Sequence, residues 1–141
     1  MLGRQHGFYD GRNVEESFFV DWALETSNDL YSTKPYMVQK QDDPDQESFN
    51  KAKVAFASFN NQIAAMLTKN GTKYIAGERL TIADFVILSH YMSYAWNEAC
   101  QKPIVEAHAA TVAETPIVVQ YCDRVKAELG ESLAYRGSYI F

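Results

Sequence analysis

Three acids repeat along one helical face early in the chain, with Asp21, Glu25 and Asp29 at i, i+4 and i+8. Like charges one turn apart oppose each other by about 0.2 to 0.5 kcal/mol per pair in an isolated helix. The pattern therefore predicts one of two things: a solvated face with lysines such as Lys34 nearby, or a place where a cation or an ammonium group docks. The other residue types that could do chemistry are sparse. His6, His90 and His108 have no Ser or Cys partner placed by the sequence, so they read as hydrogen-bonded structural or surface groups rather than as bases. Cys100 and Cys122 form no C-x-x-C and no Cys/His cluster at metal-ligand spacing. They are expected to be buried, reduced thiols, as in an intracellular compartment.

Composition narrows the setting. The 141 residues suit one domain, and a domain of that size buries about 70% of its unfolded surface without a disulfide framework. With 47% hydrophobic and 13% aromatic residues, the chain should form a packed globule rather than stay disordered. A net charge of −5 with no Lys/Arg cluster argues against nucleic acid and anionic membrane as partners. No apolar run has the length of a signal peptide or a membrane span, so a soluble cytoplasmic protein is expected.

The elements that must position these groups read as helices. From Asn13 to about Lys34, Val14, Phe18 and Trp22, with Phe19 and Ala23, recur every four residues, and Pro35 should stop or kink that helix. Asp43-Pro44-Asp45-Gln46 supplies an N-cap, a first-turn proline and a capping-box glutamine for the next. There Phe49, Ala52, Phe56, Phe59, Ile63 and Met66 follow at spacings of three and four until Asn70-Gly71 closes the helix. A third, polar-poor and therefore central, starts at Thr81 and runs through Phe85, Leu88, Ser89, Met92 and Trp96. A short helix over 104–113 and another from Thr115-Pro116 to Gly130 complete the set. The tail holds Leu133, Tyr135, Tyr139, Ile140 and Phe141 and is expected to pack back on the bundle. With no convincing alternating strand, the class is all-α.

The start of the third helix is the densest signal. Thr81 reads as its N-cap and Asp84 as the reciprocal partner, each side chain satisfying a backbone N–H of the other, while Leu80 and Phe85 form the hydrophobic staple. Asp in place of the usual Glu or Gln predicts a tighter, buried box. The string Tyr74-Ile75-Ala76-Gly77 followed by Leu80-Thr81-Ile82-Ala83-Asp84-Phe85 resembles the C-terminal domain of the glutathione transferases, where an (S/T)-x-A-D-F run opens the central helix. The likeness extends from Leu2–Tyr9 to the Val118-x-x-Tyr121-x-x-Arg124-Val125-x-Ala127 stretch. It implies a right-handed bundle of five or six helices over residues 13–141, preceded in 1–12 by the last turn of a thioredoxin-like domain and a linker.

Val20-Asp21-x-x-x-Glu25-Thr26-x-Asn28-Asp29-Leu30 is similar to the corresponding helix of the sigma-type transferases, the group that includes prostaglandin D synthases. That resemblance implies that Asp29 reaches across a dimer to the γ-glutamyl amino group of glutathione held by the partner, with Glu25 and Asn28 beside it. Some members bind a divalent cation there. Asn28 stands where such a member has an acid, so no metal is expected. Tyr31 and Tyr36 fall where the family lines its hydrophobic-substrate pocket, and Val86 and His90 are further pocket candidates. Aromatic walls with polar tips suit such a site, and suit plain interhelical packing equally.

The family reaction adds the glutathione thiolate to an electrophile, and the thiol-activating group belongs to the thioredoxin-like domain. The lone chain is thus expected to be inactive and to have no cofactor, with glutathione a co-substrate once that domain is supplied in cis or in trans. The competing expectation is a non-catalytic interaction or scaffold subunit of a larger complex. Either way the chain should associate, with a copy of itself through the first two long helices or with a different protein.

Overall fold

A computed structural model of the chain describes residues 11–98, 100 and 102–130. Six helices and no strand occur among them: α1 Val14–Ser32, α2 Pro35–Gln39, α3 Gln46–Asn70, α4 Ile82–Tyr94, α5 Pro103–Ala113 and α6 Pro116–Leu129. The fold is thus the all-α bundle expected. The readings of residues 1–10 and of the tail from Leu133 to Phe141 lie outside the described residues.

Asn13 opens α1 by accepting the Glu16 N–H on its side chain at 2.9 Å, which satisfies one of the helix's orphan donors. The buried seam of α1 runs through Phe19, Val20, Ala23, Thr26, Ser27 and Leu30. Two residues expected on the apolar face fall outside it, Val14 at 87% and Phe18 at 53% exposure. Pro35 does end the first helix, but it also begins another. Lys34 turns the chain in the left-handed region (φ 53°), and proline's fixed φ then suits the first position of α2.

The cap of α3 lies two residues beyond the expected Asp43. Asp45 takes the role because Ser48 brings two donors to it, its N–H to Oδ1 at 2.9 Å and its hydroxyl to Oδ2 at 2.7 Å. At the far end Gly71 (φ 66°) returns its N–H to the Leu67 carbonyl at 3.0 Å, a backbone turn that only glycine makes without steric cost.

Helix α4 is central, packed against α1, α5 and α6. Ala83, Asp84, Ile87, Leu88, Tyr91 and Tyr94 are buried, and the helix ends at Tyr94, two residues short of Trp96. Phe56, Phe59, Ile63 and Met66 of α3 and Val118, Tyr121 and Val125 of α6 share the main core with it. A smaller cluster joins Val38, Ala52, Cys100, Ile104 and Val105. Burying an uncompensated polar group is costly. Asn60 meets this within the core by donating to the Thr115 hydroxyl at 2.8 Å and accepting from the Tyr91 hydroxyl at 3.1 Å. No helix among the described residues is long and apolar enough to cross a membrane.

Candidate functional site

The start of α4 is a polar knot inside the core. Thr81 and Asp84 form the reciprocal capping box. Asp84 Oδ2 accepts the Thr81 N–H at 2.7 Å and the Thr81 hydroxyl at 3.0 Å, while Oδ1 accepts the Ile75 N–H at 3.0 Å and the Tyr121 hydroxyl at 2.9 Å. Burial raises the Asp84 carboxyl above its ordinary value, and the four donors act against that rise. Leu80 packs against the core, whereas Phe85 is 37% exposed. Thr81, Asp84 and Tyr121 are all buried, and the knot fixes the direction in which α4 leaves the loop.

That direction decides what the other end of α4 meets. Ser89, His90, Ser93 and Tyr94 line a cleft of about 370 Å³, closed on its other side by Tyr31 of α1 and by Tyr36 and Lys40 at the α2 turn. The Lys34 bend folds α2 back so that the Tyr31 and Tyr36 rings stack, 5.9 Å between centroids. Gln39 holds the turn against α4 by donating Nε2 to the Ser93 carbonyl at 3.0 Å. Lys40 Nζ lies 5.6 Å from the centre of the Tyr36 ring, within range of a cation–π attraction.

Three of the four pocket residues expected from the sequence therefore meet in one cleft. Val86, the fourth, does not line it. His90 is stacked on Tyr94 at 5.7 Å and meets Phe59 edge-on at 5.6 Å. Burial pushes its imidazole down to about 4, a hydrogen bond to the Ser27 carbonyl offsetting only part of this, so it is neutral at pH 7. Burial also pushes the Tyr94 phenol up to about 12, with the Tyr31 and Tyr36 phenols adding to the rise.

Lys40, Ser89, Ser93 and Tyr94 were missed by sequence reasoning. The signal existed for three of them. Ser89, His90, Ser93 and Tyr94 are one face of a helix that otherwise carries little polarity, at i, i+1, i+4 and i+5.

Glu25, Asn28 and Asp29 lie on the solvent side of α1, all exposed, as is Asp21. No three His, Cys, Asp or Glu residues among those described are grouped to hold a metal ion. Cys100 and Cys122 are buried and unpaired, and burial drives the Cys122 thiol up to about 12, away from nucleophilic use. His108 is fully buried, stacked on Phe56 at 4.2 Å with Nδ1 3.1 Å from the Tyr94 carbonyl, which makes it a core residue and not a base in a cleft.

Comparison with known families agrees with the all-helical fold. Residues 28–127 match the family model described as glutathione S-transferase, C-terminal domain, and that span is most of the chain. The chain belongs to this family. No curated protein and no solved structure gave a match.

Proposed function

We propose that the chain is the hydrophobic-substrate and dimer-interface domain of a sigma-like glutathione transferase, whose reaction joins the glutathione thiolate to an electrophile. The observation that carries the reading is the cleft in which Tyr31, Tyr36 and His90 converge. Its volume of about 370 Å³ lies at the lower end of small-molecule sites, roughly 300 to 1,000 Å³. Aromatic faces with a few hydroxyls hold planar apolar molecules without demanding one structure.

The cleft binds but does not activate. In the family the groups that lower the thiol pKa belong to the thioredoxin-like domain. The Tyr94 phenol and half-buried His90 imidazole in this wall are held neutral, and the Lys40 ammonium stands over Tyr36 on the electrophile's side of the cleft. Catalysis then requires a thioredoxin-like domain in cis or in trans, and the lone chain is inactive. Asp29, with Glu25 and Asn28 beside it, is the group we assign to the γ-glutamyl ammonium of glutathione held by a partner protomer. Its exposure on α1 supports such a reach. The two unpaired cysteines support a reducing, cytoplasmic setting.

The test is a titration of the 141-residue chain with a neutral aryl halide, followed by tyrosine fluorescence, in parallel with a conjugation assay. Saturable binding that weakens in Tyr36→Ala, with no turnover above the uncatalysed rate, is the expected result. Absence of binding would remove the pocket, and turnover that survives repurification would remove the inactivity.

A second reading, an interaction or scaffold subunit of a larger complex, is favoured by one observation. Val14 and Phe18 on α1 and Val54 on α3 are exposed apolar side chains, the last 70% exposed; Val54 lines a shallow trough between the two helices that includes Trp22, Ala57 and Ala65, and the Phe18 ring lies 5.7 Å from that of Trp22. Such patches mark contact surfaces. A homodimer through α1 and α3 satisfies both readings, and sedimentation at micromolar concentration distinguishes it from a monomer.

A further inference from the structure

The cleft has a charge opposite to that of the chain around it. The protein carries 18 acidic residues against 13 Lys and Arg, yet among the described residues no carboxylate lines the cleft and Lys40 is its one ammonium group. Among the described residues Lys40 makes no ion pair. Its backbone is nevertheless anchored. The Lys40 N–H closes α2 on the Tyr36 carbonyl at 3.1 Å, and the neighbouring Gln39 is tied to Ser93 across the cleft wall. The ammonium stands 5.6 Å from the centre of the Tyr36 ring, at the edge of the cleft.

We propose that the cleft selects planar aromatic ligands bearing an anionic group, the ring lying against Tyr31 and Tyr36 and a carboxylate or sulfonate meeting Lys40. This rests on reading the cleft as the electrophile pocket and narrows its substrate class. A neutral ring gains the aromatic contact alone. An anionic one adds a charge-assisted hydrogen bond to a donor with no competing carboxylate among the described residues, next to a low-dielectric aromatic wall that strengthens it. A cationic ring meets Lys40 as a like charge. The uncharged hydroxyls of Ser89 and Tyr94 opposite neither repel the anion nor replace the lysine.

Three probes with one ring system separate these contributions: naphthalene-2-sulfonate, neutral 2-(methylsulfonyl)naphthalene and 2-naphthylmethylammonium, each titrated calorimetrically into the full chain. The sulfonate should bind roughly three- to tenfold more tightly than the neutral probe, and the ammonium more weakly than either. Raising the salt should erode the sulfonate's advantage and leave the neutral probe unchanged. Lys40→Met should bring the sulfonate to the affinity of the neutral probe, Lys40→Glu should place it below, and Lys40→Arg should keep the preference. Lys40 is exposed, so these variants should unfold at the parent midpoint. Equal affinity for sulfonate and neutral probe, or a preference that survives Lys40→Met, overturns the charge selection and leaves the pocket standing. Failure of all three probes to bind overturns the pocket itself, and the selection with it.

Discussion

The Tyr121 hydroxyl donates to Asp84 Oδ1 at 2.9 Å, so a residue of the last described helix completes the cap of the central one, 37 positions earlier. Both side chains are fully buried. A local helix-start signal and a long-range tie are one carboxylate.

Asp84→Ala removes all four acceptor contacts and leaves the donors of Ile75, Thr81 and Tyr121 buried without partners. It should cost about 2 to 4 kcal/mol, a lost cap together with orphaned donors. Tyr121→Phe removes one donor and leaves the carboxylate three, so about 1 kcal/mol is expected. Urea unfolding with an unchanged slope checks both, and an unshifted midpoint in Asp84→Ala refutes the buried box.

Acid should weaken the fold before most carboxylates titrate. His90 and His108 are both depressed to about 4 by burial, against about 6.5 in an unfolded chain. The unfolded state binds their protons first. Stability is therefore fully present above about pH 6.5 and is lost as pH falls toward about 4, by at most about 1.4 kcal/mol per pH unit per histidine. Asp84 works in the opposite sense: its raised carboxyl favours the folded state on acidification and softens the loss. Unfolding midpoints across this range should fall for the parent and fall less steeply for His108→Phe.

Ligand affinity and stability should separate at the cleft. Tyr31 is 56% exposed, so Tyr31→Ala should change the unfolding free energy by no more than about 0.5 kcal/mol. The loss of its ring should still weaken binding of the neutral naphthyl probe roughly fivefold, about 1 kcal/mol of aromatic contact. Val86→Ala, outside the lining, should leave that affinity unchanged.

Association should depend on α1 and α3. Val54→Glu and Val14→Glu place charges on exposed positions, where substitution costs the fold little. Sedimentation should show the parent as a dimer and the double variant as a monomer with the same unfolding midpoint. A parent that sediments as a monomer at every concentration removes the dimer.

Much of this was legible because it is written locally. Leu80 to Phe85 states where the central helix begins, and Asn70-Gly71 and Gly130 state where others end. What escaped depends on contacts across the fold. Asp43 and Asp45 are equivalent caps on paper, and Ser48, converging on Asp45 with two donors, decides between them. Pro35 reads as a stop, and only the left-handed Lys34 with the Gln39–Ser93 bond makes it a second start. Lys40 was invisible because it sits at the end of that unforeseen helix. Val14 and Phe18 continue the apolar period but stand outside the buried seam of α1 among the described residues, with Lys69 Nζ of α3 5.8 Å from the Phe18 ring.

The position of Tyr121 in the chain also orders the protein's synthesis. Residues 13–94, which carry α1 to α4, emerge before the hydroxyl that completes the Asp84 site. Until then the carboxylate must either stay wet or be enclosed one donor short. The nascent bundle should therefore remain open around the start of α4, a late-closing seam exposed to proteases and chaperones, and shut as one unit when α6 arrives.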